Sequence, residues 1–329
     1  MRPKKSACFG MSKSAHKSQH WIPRSYLRAW TDPASPAGQE PFVHVYSKDG
    51  GSHRKKAPEN LFSATNLYTI KLPDGGRDLR LEHGLADLES GFALLRKDFL
   101  LERRKLPALR HVKFMAFVAA MHARTPSFSE HHMRFWRDVQ SQGERMERWI
   151  ETAPPQQKQR AASVSFPSSQ DGPSLSMENV RQITENPMQY TLGFVGAELP
   201  HLVRKHSAIL CTESDPGFIT SDAPVIWFDP EWYKKPPIYR SPSLSDPRLE
   251  ITLPISPTQM LLLTHPRSYQ SPQSIRYVDV PETVVVEANR RLRFQTDKEF
   301  VVRRAIVDPR WFDRGTPPPD TWEAKQDQS

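Results

Sequence analysis

Apolar residues recur at helical spacing through the middle of the chain, and this pattern restricts the fold more than any other feature. Six of them follow one another at alternating steps of four and three: Leu81, Leu85, Leu88, Phe92, Leu95 and Phe99. Such a stripe predicts an amphipathic helix that begins near residue 79. Residues 108–124 are apolar on nearly every side from residue 114 to 121, which predicts a central buried helix stopped by Thr125-Pro126. A third helix is predicted over residues 127–150.

Short segments with strand character lie on both sides of these helices. In chain order they are residues 42–46, 66–70, 208–211, 225–228, 251–255, 260–264 and 300–306. The short turn between the fifth and sixth segments predicts an antiparallel hairpin. Further helices are predicted within residues 177–204 and over residues 281–294. Because strands and helices do not alternate regularly, we expect an α+β fold, with a central helical cluster packed on a mainly antiparallel sheet of N-terminal and C-terminal strands.

Composition divides the 329 residues into one folded part and two polar ends. Residues 1–17 are a basic, Ser/Lys-rich arm and residues 315–329 a polar tail, and both are predicted to be disordered. Residues 18–314 are predicted to form a single domain. Within it, residues 153–174 are rich in Pro, Gln, Ser and Ala and lack periodicity, so they mark either a long surface loop or a boundary between two halves.

Cysteine and apolar content argue against several classes of protein. Cys8 and Cys211 are the only cysteines, which disfavours a disulfide framework or a cysteine-ligated zinc site and favours a reducing cytoplasm. The longest apolar run, residues 114–121, is far shorter than the roughly 18 residues that a membrane span needs. The first residues lack the apolar segment of a signal peptide. We therefore expect a soluble, cytoplasmic protein without a Gly-rich nucleotide loop.

The charge balance leaves two interpretations open. The chain has 46 basic and 37 acidic residues, a net charge of +9. This excess is compatible with binding to nucleic acid or to another phosphate-containing ligand. The basic residues are nevertheless scattered in small groups, most of them at predicted ends of helices and strands, where they would favour helix C-termini and solubility.

Two dense motifs lie far apart in the chain and carry a family resemblance. The first is His-Trp-Ile-Pro-Arg-Ser-Tyr-Leu-Arg-Ala-Trp at residues 20–30, and the second is Phe-Ile-Thr-Ser-Asp-Ala-Pro-Val at residues 218–225. Both resemble the main motifs of the domain of unknown function 4238 family, which is largely bacterial. Pro-Ile-Ser-Pro at residues 254–257 and Asn289 also match that family, so the resemblance covers about residues 18–306. It implies no established activity.

Two positions depart from the family pattern. Arg24 stands where the family commonly has Gln, and Ala223 stands where it commonly has Asn. An Asn beside Asp222 could form hydrogen bonds within a site. Its absence argues against any mechanism that needs a side-chain amide there.

His20 opens the first motif and is the first candidate catalytic residue. A proline-fixed bend follows it, and Tyr26 and Trp30 can supply an apolar wall, so its imidazole could be held as a general base or a metal ligand. The alternative is that a ring nitrogen only ties the N-terminal segment to a buried carbonyl group. Tyr26 and Arg28 are candidate binding residues from the same motif.

The second motif supplies a carboxylate and two hydroxyl groups. Asp222 could be a metal ligand or a general base, Ser221 could contribute its hydroxyl to a substrate, and Thr220 and Asn289 are candidate binding residues. No Gly-x-Ser-x-Gly sequence surrounds Ser221, which disfavours serine-hydrolase chemistry. The alternative is a tight turn before Pro224 in which Asp222 or Ser221 caps backbone amides.

Three charged residues of the first two long helices complete the candidates. Glu82 and Glu89 are seven positions apart, hence on one helix face, and could bind a divalent metal together with Asp222 or His20. The alternative is a solvated helix face. Arg124 ends the buried helix and could bind a carboxylate or phosphate bidentately, or else neutralise the helix C-terminus or pair with Asp222.

These residues support two functional hypotheses. The first is an intracellular bacterial hydrolase, metal-assisted and acting on a phosphate-containing substrate such as nucleic acid, with His20 as base or ligand, Asp222 as ligand or orienter of His20, and Arg124 as anion clamp. The second is a non-catalytic binding or interaction protein of a stress, mobile-element or phage-conflict system, in which both motifs only lock the ends of the fold together. Convergence of the three side chains around an open cleft would favour the hydrolase. Separation or burial would favour the binding protein.

Overall fold

Helices occupy the chain between residues 80 and 203, and strands lie before and after them. The structure, a computed structural model, describes residues 18–71, 77–163, 176–235, 242–266 and 275–313. This distribution confirms the α+β class. The predicted arm (residues 1–17) and tail (residues 315–329) lie outside the described residues.

The predicted long helices are confirmed, with ends displaced by one or two residues. In chain order the helices are α1 (Arg24–Leu27), α2 (Arg80–Leu95), α3 (Ala108–Ala123), α4 (Pro126–Thr152), α5 (Pro155–Ser163), α6 (Met177–Glu185), α7 (Pro187–Leu192), α8 (Phe194–Val203) and α9 (Glu282–Gln295). A π-type turn, Arg96–Leu100, extends α2. Short 3-10 turns lie at Arg28–Trp30, Pro58–Asn60, Trp232–Lys234 and Pro309–Phe312.

α3 is the central buried helix that the sequence predicts. The ring of Phe117 is buried and stacks on Phe92 of α2 with 3.8 Å between the ring centroids. Directly after α3, the side chain of Thr125 accepts a hydrogen bond from the N–H of Phe128 (3.4 Å), and Pro126 occupies the first turn of α4. A hydroxyl cap followed by proline starts a new helix at once.

Residues 153–174, for which the sequence predicts either a long surface loop or a boundary between two halves, are helical in part. α5 covers Pro155–Ser163, and residues 164–174 lie outside the described residues. The loop prediction is therefore wrong for the first half of the segment. Its Gln, Lys, Arg and Ala residues favour a helix by intrinsic propensity. They form no apolar stripe, so periodicity gave no sign of it.

The strands are β1 (Ser18–His20), β2 (Val43–Ser47), β3 (His53–Lys56), β4 (Ser63–Thr65), β5 (Ile70–Lys71), β6 (Arg77–Asp78), β7 (His206–Cys211), β8 (Thr220–Ser221), β9 (Ile226–Phe228), β10 (Glu250–Ser256), β11 (Gln259–Thr264), β12 (Arg276–Asp279) and β13 (Glu299–Val302). Within the described residues, one sheet has the order β12-β7-β11-β10-β9 and a second has the order β3-β2-β13-β8. Two ribbons, β1-β4 and β5-β6, are separate. Among the strands of the described segments, the pairings are antiparallel except that of β12 with β7.

The described strands divide between two sheets and two ribbons, where the sequence predicts one sheet. The second sheet joins N-terminal and C-terminal strands as expected, because β13 pairs with both β2 and β8. The first sheet contains C-terminal strands only. Its β10–β11 hairpin confirms the predicted antiparallel pair, with Leu253 opposite Leu261. Both side chains are fully buried in a cluster that includes Phe117 of α3.

Residues 66–70 do not form the predicted strand. Residues 66–68 form a turn in which Asn66 has a φ of 56°, and only Ile70 belongs to β5. The N–H of Tyr68 donates to the side-chain Oε1 of Gln19 (2.6 Å) and not to a backbone carbonyl of a neighbouring strand. Apolar character in this segment therefore reflects the burial of Tyr68 and not a strand ladder.

None of the described helices combines the length and the hydropathy that a bilayer crossing requires.

Candidate functional site

The two sequence motifs lie against each other and are joined by side-chain hydrogen bonds. Three side chains of the first motif bond to alternate residues of the second: Trp21 Nε1 donates to the Asp222 carbonyl (3.2 Å), the Tyr26 hydroxyl bonds to Thr220 Oγ1 (2.7 Å), and Trp30 Nε1 donates to the Phe218 carbonyl (2.8 Å). Alternate residues of an extended chain present themselves on the same side. The motifs are thus two halves of one contact.

Tyr26 and Thr220 form the centre of this contact and are sealed from solvent. Both residues are fully buried. The Tyr26 hydroxyl also donates to the carbonyl of Pro254 (2.8 Å). Because a phenol has one hydrogen to donate, Thr220 must be the donor to Tyr26. Burial raises the pKa of Tyr26, which stays neutral. The structure therefore places these two candidate binding residues in the interior.

Asp222 binds the chain's own backbone. Its Oδ1 accepts the N–H of Asp297 (3.0 Å), and its Oδ2 accepts the N–H groups of Lys298 (2.7 Å) and Glu299 (3.0 Å). The residue is 5% exposed, and burial raises the pKa of its carboxyl to about 6 against the effect of the three N–H donors. This carboxylate fastens the connection between α9 and β13 to the second motif.

Ser221 and Asn289 also hold the backbone of the second motif. Ser221 is fully buried, and its Oγ accepts the N–H of Ala223 (3.1 Å), as in the tight turn that the sequence offered as an alternative. Asn289 accepts the N–H of Ile219 (3.0 Å) and donates to the carbonyl of Gly217 (2.8 Å). An amide that both accepts and donates in this way fixes an extended segment without any strand partner.

His20 lies at the other end of the first motif, and its Nε2 is 2.9 Å from the carbonyl oxygen of Glu59. A carbonyl only accepts, so Nε2 carries the hydrogen and Nδ1 carries the lone pair. Burial lowers the pKa of His20, with the Glu59 hydrogen bond acting in the opposite direction. The tie to a carbonyl group that the sequence offered as an alternative is present, but its acceptor belongs to Glu59, which is an exposed residue and not a buried one. The ring is half-buried, so one side of it remains accessible.

A polar pocket of about 640 Å³ lies between β1 and α2 and includes His20 in its wall. Glu82 and Glu89, which the sequence places on one face of α2, line the opposite wall. The pocket therefore unites three of the predicted site residues. Asp222 lines a different pocket of about 310 Å³ together with Trp21, so the predicted convergence of His20 and Asp222 is absent.

Arg124 is the fourth predicted residue near this pocket, and it lies behind the wall. The side chain is 1% exposed, and its Nη1 donates to Oε1 of Glu89 (2.7 Å). A buried guanidinium paired with a carboxylate has its charge compensated, so it is not available as the predicted anion clamp. Arg28, by contrast, is exposed at the surface.

These features stand in a segment that one protein family shares. The family model described as protein of unknown function (DUF4238) matches residues 18–305. The chain belongs to this family. No curated protein matches the chain, and no solved structure does either. In this member of the DUF4238 family, both motifs and the pocket between β1 and α2 lie within the matched residues.

The wall of the pocket depends on residues that the sequence did not single out. Gln19 is buried, donates to Thr69 Oγ1 (3.0 Å) and to Glu82 Oε2 (2.8 Å), and accepts the N–H of Tyr68. The hydroxyl of Tyr68 in turn donates to the carbonyl of His20 (3.2 Å). Gln19 directly precedes the first motif, and this adjacency was the available signal. For Tyr68 and Glu59 the sequence carried none.

A metal site is the least supported of the predicted arrangements. Among the described residues, no group of three or more His, Cys, Asp and Glu side chains is placed to hold a metal ion. Glu82 already accepts from Gln19, and Glu89 accepts from Arg124. Oxygens held in this way have fewer lone pairs directed at a cation.

Proposed function

We propose that this chain is a non-catalytic binding protein whose pocket between β1 and α2 takes a small, positively charged polar ligand. The observation that carries this proposal is the division of the predicted residues. Asp222, Ser221 and Thr220 are buried and bonded to the chain itself, whereas His20, Glu82 and Glu89 line one pocket. The second motif thus stabilises the fold, and the pocket between β1 and α2 is the part of this region that a ligand can enter.

Charge favours a cationic ligand over a phosphate. Three carboxylates, those of Glu59, Glu82 and Glu89, line the pocket with one exposed cation, Arg24. Arg124 forms an ion pair with Glu89 from behind the pocket wall. Since burial lowers the pKa of His20, its ring is neutral near pH 7 and adds no positive charge. An amine would be attracted to this surface and a phosphate repelled.

The proposal is tested by titrating the chain with putrescine and, separately, with inorganic phosphate in a calorimeter. Heat should be released with the amine only. Glu82→Gln should weaken amine binding, because it removes a charge but retains an oxygen for Gln19. Glu185→Gln, an exposed carboxylate on α6, is the matched control and should leave binding unchanged. Phosphate binding that exceeds amine binding would contradict the proposal.

A hydrolase remains the second candidate because of one observation. The Nε2–H of His20 is committed to the Glu59 carbonyl, which leaves an unprotonated Nδ1 in a pocket that is also lined by three carboxylates. This is the state that a general base requires. In such an enzyme His20 would remove a proton, and Glu82 and Glu89 would hold a divalent metal or orient the substrate.

One substitution separates the two candidates. His20→Gln retains an N–H that can reach the Glu59 carbonyl, yet it removes the base. In a phosphoesterase and nuclease screen with Mg²⁺ and Mn²⁺, activity in the wild type that His20→Gln abolishes would support the hydrolase. The melting temperature of the variant is measured alongside, so that lost activity is not confused with unfolding.

The proposal has two further parts, nucleic acid as a partner and a cytoplasmic location, which rest on net charge and on cysteine content. The net charge of +9 supports nucleic acid as a partner of the surface outside the acidic pocket. The free, buried thiol of Cys211 supports a cytoplasmic location. A salt titration tests the first part: the affinity for DNA or RNA should fall steeply as salt increases, and an affinity that is low and independent of salt would rule it out.

A further inference from the structure

One face of α4 exposes a row of four large apolar side chains, and half-buried Val139 and exposed Gln142 lie between the first and the second of them. The exposed fractions are 63% for Phe135, 64% for Met146, 46% for Trp149 and 47% for Ile150. The distance from Phe135 to Trp149 along the helix is about 21 Å at ~1.5 Å per residue. Single exposed apolar residues are common on protein surfaces, but several of them on one helix face indicate an interaction surface.

The remaining faces of α4 already have partners within the chain. Met133 is buried, the ring of Trp136 contacts that of Tyr190 on α7, and Glu147 pairs with Arg181 on α6. These contacts attach α4 to α6 and α7. The apolar row lies outside them and forms a second apolar face on the same helix.

The second face has the spacing of a coiled-coil seam. Its members are separated by steps of four, three, four and three: Phe135, Val139, Gln142, Met146 and Trp149. This is the alternation that lets two helices pack side by side. Asp138 and Arg145 flank the seam on one edge, seven positions apart, and both are exposed. Within the described part of the chain, neither forms an ion pair.

The two flanking charges distinguish between the possible directions of pairing. In a parallel pair, each flanking residue on this edge faces the opposite edge of the other helix, where Gly143 and Ile150 lie without charge. In an antiparallel pair, the same edges of both helices meet in reverse order. Asp138 of each copy then faces Arg145 of the other. The seam is therefore complementary to itself when it is reversed.

We propose that α4 is the interface of a homodimer, in which it packs antiparallel against α4 of a second copy of this chain. In this register Phe135 of one copy lies against Met146 of the other. Asp138 and Arg145 form two equivalent ion pairs related by the two-fold axis. Such an isologous contact closes at two subunits, and its charges select this register over its neighbours.

The proposal is tested by sedimentation equilibrium of the full chain and four variants. The wild type should be a dimer whose fraction rises with protein concentration. Asp138→Arg and Arg145→Asp each place two pairs of like charges in the interface and should raise the dissociation constant ~10-fold or more. The double variant Asp138→Arg/Arg145→Asp restores opposite charges and should return it to within ~3-fold of the wild type. Arg137→Glu, an exposed charge outside the seam, should have no effect.

Every outcome bears on the proposal. A wild type that remains monomeric up to about 200 µM overturns it, because a dimer weaker than that has no interface of standard strength. If the wild type is a dimer and the double variant does not restore its dissociation constant, the proposed antiparallel register is wrong. Circular dichroism shows whether each variant is folded, and the exposed positions chosen here should tolerate substitution.

Discussion

The hydroxyl of Tyr26 lies 2.7 Å from Oγ1 of Thr220, a residue 194 positions later in the chain, and donates to the carbonyl of Pro254 at 2.8 Å. One phenol thereby joins α1, β8 and β10. Because these atoms are buried, water cannot replace the bonds if one of them is lost. Together with Trp21 and Trp30, which donate to the carbonyl groups of Asp222 and Phe218, Tyr26 uses an aromatic side chain to join the two motifs.

Tyr26→Phe should lower the free energy of unfolding by about 1–3 kcal/mol, since it leaves the Pro254 carbonyl and the Thr220 hydroxyl without a shared partner. Urea denaturation measures the loss. Tyr190→Phe is the matched control, because no hydrogen bond to the Tyr190 hydroxyl is present in the described part of the structure. That control should change stability by less than about 0.5 kcal/mol. Equal effects of the two variants would show that the hydroxyl contact is unimportant.

Asp222→Asn should destabilise the protein by about 1–3 kcal/mol, because the new amide group presents hydrogens to backbone N–H groups that now point at a carboxylate. Asp297→Asn changes the same residue type on an exposed neighbouring position and should be neutral. Thermal unfolding at neutral pH compares the two. A fully stable Asp222→Asn protein would mean that the carboxylate is kept for chemistry and not for the fold.

His20 should make stability fall as the pH decreases below the ordinary imidazole pKa of 6.5. Burial lowers the pKa of this imidazole below its ordinary value of 6.5. The unfolded chain therefore binds the proton more readily than the folded one, and the contribution of His20 to stability is present above pH 6.5 and is lost as the pH falls. The measurement is the free energy of unfolding of the wild type minus that of His20→Gln at each pH. A difference that stays constant as the pH falls below 6.5 would contradict the lowered pKa.

Sequence reasoning located the long helices well and the site only in part. α2 and α3 follow from apolar residues within one segment, and periodicity detects such local patterns. The bonds of Tyr26 to Thr220 and of Asp222 to the N–H of Lys298 join distant segments, which leave no local trace. Glu82 and Glu89 lie on one face of α2, as predicted, because seven residues make about two turns of a helix.

The failures have equally specific causes. The pairing of Asp222 with His20 was expected from the chemistry of the side chains alone. Backbone N–H groups, which every residue except proline carries, satisfied the carboxylate instead. α5 was missed because its helical propensity comes without an apolar face. The prediction of a site was thus limited because backbone N–H groups, the actual partners of Asp222, cannot be told apart in a sequence.

Glu89 and Arg124 should respond unequally to substitution, although they form one ion pair. Glu89→Gln leaves a guanidinium that is 1% exposed without a compensating charge, which should cost about 3 kcal/mol. Arg124→Met leaves a carboxylate that is 25% exposed and can be hydrated, so its cost should be about 1–2 kcal/mol. The double variant should be about as stable as Arg124→Met alone, since the uncompensated charge is gone. Urea denaturation of the wild type, the two single variants and the double variant gives this comparison.

The exposed pair Arg137 and Glu130, each 56% exposed, is the control, and Glu130→Gln should cost less than about 0.5 kcal/mol. A larger loss from Arg124→Met than from Glu89→Gln would show that Arg124 contributes through packing and not through its charge.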